Sequence, residues 1–199
     1  MHKLLDLDLN NKNLTIRVDM NVPIKNGIIV DQTRIEACIP TIQKALDNNA
    51  NVLLVSHLGR PEEGSYDKNL SLQPVAESLS KIFGLTVDLI KHLDDKSIFS
   101  GSSPIQILEN IRFFDGEKSN GDNLGKVLAA MGDIYVFDAF GTSHREQAST
   151  HSAILNSRNA CAGLLLEKEI DALTKALNNS DSPYTAVIGG SKVSTKLEL

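Results

Sequence analysis

With 199 residues, 41% of them hydrophobic and 23% charged, the chain has the make-up of an ordinary globular protein long enough to bury one substantial core. A formal net charge of −5 and the lack of any lysine run exclude a general nucleic-acid binder, whose affinity for phosphate backbones needs a basic surface. The first twenty residues mix Asp, Asn and Lys with leucines rather than forming a signal's apolar stretch, and no run is apolar enough to span a membrane, so a cytoplasmic protein is expected.

In chain order, the apolar, β-branched run Leu14 to Val18 reads as a buried strand and leads into Asp19, Met20 and Asn21. Val22 to Val30, centred on Asn26-Gly27, reads as a small hairpin, because Asn-Gly suits a type I′ turn. Asp31 is a cap signal ahead of Ile35, Ile39, Ile42 and Leu46, which recur at helical spacing. Pro40 falls inside that pattern and is expected to kink or divide the helix. Val52 to Val55 is a second strand, followed by His57, Leu58, Gly59 and Arg60.

Ser71 then precedes a helical pattern of Leu72, Val75, Leu79, Ile82 and Phe83 that Gly84 closes. Strands are predicted at Thr86 to Ile90 and Ile105 to Leu108, the latter leading into Asn110 and Arg112. A helix at Leu124, Val127 and Leu128 precedes a strand at Ile134 to Phe137, after which come Asp138, His144 and Arg145. Leu165, Ile170, Leu173 and Leu177 mark a further helix, and Thr185 to Ile188 a sixth strand. Gly189-Gly190-Ser191-Lys192 is a glycine turn opening a helix that reaches Leu199 without a stop signal, so the chain reads as cut short of a natural end.

Alternation of helices with strands that are apolar on both faces predicts an α/β fold. The expected form is a doubly wound, mostly parallel sheet of about six strands with helices on both faces, a Rossmann-like three-layer sandwich joined by right-handed crossovers. Residues 1–188 are assigned to this domain, and 189–199 to the start of a connection toward another.

Six of the 20 cationic side chains are arginines, and five of these, Arg17, Arg34, Arg60, Arg112 and Arg145, follow strand-like runs. Guanidinium is the side chain best shaped to hold carboxylate and phosphate oxygens with paired hydrogen bonds, and in parallel sheets ligands bind beyond the carboxyl ends of the strands. One loop arginine is normally a solvated surface residue; several at successive strand ends point to an anion site. Arg17, at the end of the first strand, reads equally well as structural support. Cys38 and Cys161 lie far apart without metal-ligand spacing and read as reduced and structural. His57, His144 and His151 have no HxH or HExxH pattern, and no GxSxG, GxGxxG or P-loop spacing occurs, so no metal site built from protein ligands is expected.

Taken together, Arg17-Val-Asp-Met-Asn-Val-Pro23, Asp31-Gln-Thr-Arg-Ile35 with Pro40-Thr-Ile42, Ser56-His-Leu-Gly-Arg-Pro61, Leu108-Glu-Asn-Ile-Arg-Phe113, Asp138-Ala-Phe-Gly-Thr-Ser-His-Arg145 with Ala148-Ser-Thr150, and Gly189-Gly-Ser-Lys-Val193 closely resemble the phosphoglycerate kinase family, in family order across essentially the whole chain. Departures are Met20, where phenylalanine is usual, and Ser143, where alanine is common; neither removes a charged group.

The resemblance implies a two-domain glycolytic kinase. Its amino-terminal domain takes 3-phosphoglycerate or 1,3-bisphosphoglycerate, and its carboxy-terminal domain, absent here, takes Mg2+ with ATP or ADP. Carried over by motif, Asp19, Asn21, Arg34, His57, Leu58, Gly59, Arg60, Arg112 and Arg145 would bind substrate; Arg34 and Lys192 would be catalytic; Lys196 would reach the nucleotide phosphates. The resemblance also implies a monomer, with the 199-residue piece inactive on its own. The competing reading is a non-catalytic anion-binding or regulatory module that keeps the pocket, against which intact Arg34 and Lys192 stand; a purely structural role is a distant third.

Overall fold

The computed structural model describes residues 2–178 together with Thr185 and Val187. The chain divides into two compact units, Met1–Lys168 and Glu169–Leu199. In the first, β1 (Asn13–Val18), β4 (Asn51–Val55), β5 (Val87–Ile90), β6 (Ile105–Leu108), β7 (Ile134–Asp138) and β8 (Ala160–Ala162) form one sheet in the order β5-β6-β4-β1-β7-β8. Every pairing in it is parallel. The hairpin strands β2 (Ile24–Lys25) and β3 (Ile28–Ile29) pair antiparallel around Asn26 and Gly27, whose φ values of 52° and 76° are those a type I′ turn demands.

Side chains alternate across the sheet. Leu14, Ile16 and Val18 of β1 and Val52 and Leu54 of β4 face one core, shared with Ile35, Cys38 and Ile42 of α1 (Thr33–Leu46) and with Val75 and Leu79 of α2 (Gln73–Phe83). Leu53, Val55, Leu108 and Tyr135 face the other, against Leu124 and Leu128 of α3 (Asp122–Met131) and Ala153 of α4 (Ala153–Asn156). Each fully buried aliphatic side chain contributes about 1.5–3 kcal/mol, so both sheet faces must be covered. The result is the expected three-layer parallel α/β sandwich. On β1 the second face carries Thr15 and Arg17 in place of aliphatics, and both are fully buried.

Capping residues act close to where the sequence places them. The Asp31 carboxylate accepts the N–H and the hydroxyl of Thr33, the first residue of α1. The Ser71 hydroxyl accepts from the Gln73 N–H, and Gly84 closes α2 in the left-handed region at φ 65°. The buried Glu109 carboxylate, delivered by the end of β6, adds a cap that the sequence did not announce: it accepts from the Leu72 N–H at 2.8 Å and the Ser71 hydroxyl at 2.7 Å, where the helix dipole favours negative charge.

Two expectations differ. Pro40 does not divide α1, which runs unbroken from Thr33 to Leu46. Pro40 and Glu36 are both exposed, so water can serve the backbone group left without a donor. The sixth strand of the sheet is Ala160–Ala162, too short and too small in its side chains to stand out as a strand. The strand expected over 185–188 falls outside the described residues except for Thr185 and Val187, neither of which is in a strand. The boundary expected at 188/189 also lies outside them. Finally, α5 (Leu164–Asn178) starts in the first unit, and its part from Glu169 to Asn178 belongs to the second.

Candidate functional site

The central strands β4, β1 and β7 deliver their following loops to one edge of the sheet, the carboxyl edge, and β6 adds its own loop beside them. The chain crosses β1 between β6 and β7, and such a reversal of direction opens a crevice at the carboxyl ends of the strands. Asp19 and Asn21 follow β1, Ser56 to Arg60 follow β4, and Glu109 to Arg112 follow β6. Arg145 comes after β7 and a short 3-10 turn at Phe140–Thr142, and Arg34 stands in the first turn of α1.

Hydrogen bonds between these loops fix their relative positions. Arg34 Nη1 lies 2.5 Å from Asp19 Oδ2, and its side chain stays half exposed. A pair this open adds little stability; it sets the direction of the guanidinium. The Gly59 N–H donates to Asn21 Oδ1 at 2.9 Å, and Arg112 Nη1 donates to the Gly59 carbonyl at 2.5 Å. Gly59 has a φ of +60°, and a Cβ there would stand 2.6 Å from Leu70 Cδ2. Asn110 holds the same loop from below, accepting the Leu58 N–H and donating to the Leu58 and Leu70 carbonyls. Leu58 and Gly59 thus have both backbone groups engaged within the protein, and the Leu58 side chain is in the core. They shape the site rather than offer it free polar groups.

The electrostatics converge on His57. It is buried, and burial together with the positive charges of Arg17, Arg112, Arg145 and Arg34 drives its pKa from 6.5 down to about 2. The imidazole is therefore neutral at all physiological pH. Arg112 is also buried; desolvation and the neighbouring Arg145 and Arg17 lower its pKa, partly offset by Glu117. Its Nε is a buried donor without an acceptor. Several guanidiniums thus repel one another around a neutral histidine, and one buried N–H has nothing to bond. A bound anion would offset the repulsion among the guanidiniums, and perturbed groups gathered in this way mark a candidate site.

Asp19, Asn21, His57, Arg60 and Arg145 on loops, Arg112 in a 3-10 turn and Arg34 in the first turn of α1 therefore follow the carboxyl edge of one sheet. Arg60 is exposed at its rim. Lys192 and Lys196 lie outside the described residues. Arg17, left open by the sequence, is fully buried: its Nε donates to Ser149 Oγ, its Nη1 to the Val18 carbonyl, and its Nη2 meets His57 Nδ1 at 3.3 Å. Asp138 is likewise a structural group. It accepts the Thr41 hydroxyl and the Leu166 N–H, and burial raises its pKa. Of the residues that touch this network, Glu117 and Tyr135 were not singled out by sequence, whereas Ser149 stands in the motif Ala148-Ser-Thr150 and Arg17 lies between the apolar Ile16 and Val18.

The fold is a parallel α/β domain that gathers arginines on the loops at the carboxyl edge of its central strands, an arrangement suited to anions. The chain belongs to the phosphoglycerate kinase family, whose model, described as "Phosphoglycerate kinase", matches residues 4–199. It is 50% identical over 197 residues to the phosphoglycerate kinase of Desulfovibrio desulfuricans, covering 99% of this chain and 50% of that protein. It is also 50% identical to that of Francisella tularensis subsp. novicida, covering 98% and 50%. Among solved structures, the phosphoglycerate kinase of Coxiella burnetii matches with a TM-score of 0.89 at 47% identity, over 98% of this chain and 49% of that one. The Pyrococcus horikoshii enzyme matches with a TM-score of 0.84 at 32% identity, over 98% and 50%. The chain spans about half the length of the relatives it matches.

Proposed function

We propose that this chain is the acceptor-binding half of a phosphoglycerate kinase, which transfers a phosphoryl group reversibly between 1,3-bisphosphoglycerate with ADP and 3-phosphoglycerate with ATP. The observation that carries the reading is the set of mutually repelling arginines around neutral His57, with the buried Arg112 Nε left unbonded. 3-Phosphoglycerate carries a phosphate, a carboxylate and a hydroxyl. Arg60, Arg112 and Arg145 suit its negative groups; Asp19 and the Asn21 amide suit its hydroxyl. Arg34, half exposed and aimed by Asp19, suits the group being transferred.

The attacking carboxylate, with an ordinary pKa near about 4, is ionised at neutral pH, so the reaction needs no general base. What the residues must do is hold the acceptor in line and offset negative charge as it moves. Bound Mg2+ with nucleotide would supply further charge stabilisation. Among the described residues no three His, Cys, Asp or Glu side chains gather as a metal site, and by the family resemblance Mg2+ would be held mainly with nucleotide on the carboxy-terminal domain. Lys192 as a catalytic cation, Lys196 on the nucleotide phosphates, a monomeric state and a cytoplasmic location belong to the same proposal and rest on the family resemblance. No helix among the described residues is long and apolar enough to cross a membrane.

Calorimetric titration of 3-phosphoglycerate into the 199-residue chain tests the reading. Binding that weakens steeply with added salt is expected. No heat at millimolar ligand in low salt would refute it. The chain alone should show no kinase turnover, and activity in a clean preparation would overturn the assignment to half of an enzyme.

A further inference from the structure

Behind His57 lies a buried polar chain. Glu117, with no exposed surface, accepts the Ser149 N–H at 2.9 Å through one carboxylate oxygen and the Ser149 hydroxyl at 2.6 Å through the other. Ser149 presents both donors because it lies in a single π-helical turn, Ala148–Ser152, a wider turn than an α-helix allows and one often found at functional sites. Having donated its proton to Glu117, the hydroxyl accepts from Arg17 Nε at 2.8 Å. The Tyr135 hydroxyl fixes the same residue by donating to its carbonyl at 2.6 Å. A carboxylate and a guanidinium, both cut off from water, are thus joined through a hydroxyl. The far side of the guanidinium, Nη2, faces His57 Nδ1.

Arginine has no acceptor, so at this contact Arg17 donates and His57 Nδ1 must supply a lone pair. A neutral imidazole with Nδ1 unprotonated carries its proton on Nε2. That nitrogen makes no hydrogen bond among the described residues, and it is not one of their fully buried polar atoms left without a partner. The small remaining exposure of His57 therefore leaves Nε2 open. We propose that Glu117, Ser149 and Arg17 act as positioning residues that hold His57 as the single Nε2–H tautomer, so that it presents a hydrogen-bond donor to an oxygen of the bound anion. The opposite tautomer would turn a lone pair toward that oxygen, replacing an attraction with a repulsion. An imidazolium is not required, since the arginines already supply the charge.

The ligand part of this inference rests on the acceptor reading above; the tautomer part does not. The test is side-chain 15N–1H correlation NMR of the 199-residue chain, with the His57 ring assigned through His57→Gln. The expected result is one neutral species, Nδ1 unprotonated and Nε2 protonated, unchanged from pH 8 to pH 5.5. A protonated Nδ1, an averaged pair of tautomers, or an imidazolium at pH 7 overturns the proposal, and this arm needs no variant in the chain of positioning residues to fold.

Ser149→Ala removes the bridging hydroxyl, and Arg17→Lys keeps the buried charge opposite Glu117 but loses the fork. In either variant, once an amide spectrum shows it folded, His57 should become a mixture of tautomers and 3-phosphoglycerate should bind roughly ten- to hundredfold more weakly. A folded variant with the wild-type tautomer and affinity refutes the positioning role. If the wild-type chain shows the tautomer but binds no 3-phosphoglycerate, the acceptor reading fails and the positioning of His57 stands.

Discussion

Acidification loads the fold at His57 before it reaches most carboxylates. In the folded chain, burial and four surrounding guanidiniums hold the imidazole's pKa at about 2; in the unfolded chain it returns to about 6.5. Between those values the unfolded state binds the extra proton. Stability is therefore complete above pH 6.5 and is lost as pH falls below it, by about 1.36 kcal/mol per pH unit. From pH 7.5 to 4.5 the loss is about 3 kcal/mol, a large part of the ~5–15 kcal/mol that holds a typical domain together. Because pH 4.5 is still well above the folded value, the figure does not depend on how far down that value lies.

Asp138 acts in the opposite direction. Its pKa is raised by burial, so the folded state takes up its proton first, and this stabilises the fold as pH approaches the carboxylate range. Comparing wild type with His57→Gln cancels Asp138, which is common to both. Urea unfolding of the two proteins at pH 7.5, 6.5, 5.5 and 4.5 should give stabilities whose difference changes below about pH 7, with wild type losing an extra ~3 kcal/mol by pH 4.5. Curves that stay parallel across the series would mean that His57 takes up its proton as readily in the fold as in the unfolded chain, and the electrostatic account of the site would be wrong.

Arg112→Met removes a buried guanidinium whose Nη1 bonds the Gly59 carbonyl, and 3-phosphoglycerate affinity measured by calorimetry should fall roughly ten- to hundredfold. A change under about threefold rejects Arg112 as a ligand. Gly59→Ala forces a Cβ into the left-handed region and against Leu70, and should lower the stability from urea unfolding by about 1–2 kcal/mol; an unchanged midpoint contradicts the loop geometry. Burial pushes the Cys38 and Cys161 thiols up to about 12, so neither should react with a thiol-specific disulfide reagent at pH 8 until denaturant is added. Prompt labelling of the native protein would show that one of them is exposed.

Much of this architecture was legible from local pattern. Alternating apolar runs placed five of the sheet's strands, helical spacing placed α1, α2, α3 and α5, and Asn26-Gly27 announced its turn, because these depend on residues a few positions apart. The positions of Arg34, Arg60, Arg112 and Arg145 just past strand-like segments pointed to an anion site, since parallel strands bring their carboxyl ends to one edge. β8 escaped because three small residues carry no period, and it becomes a strand only by pairing with Tyr135 to Phe137.

The partners of the buried groups were decided only in three dimensions. No local rule links Arg17 to Ser149, 132 positions away, or Glu117 to either, or tells that Arg17 and Arg112 are the enclosed ones among five strand-end arginines. Leu58 and Gly59 share a motif with His57, yet their backbone groups are turned inward, which depends on Asn110 arriving from another strand. The sequence by itself determined which elements form and which side chains stand at the sheet's edge, since those follow from short-range periodicity and chain direction. Tertiary structure alone decided which charges lost their water, and with it the protonation of His57, because desolvation depends on what folds over a residue from elsewhere in the chain.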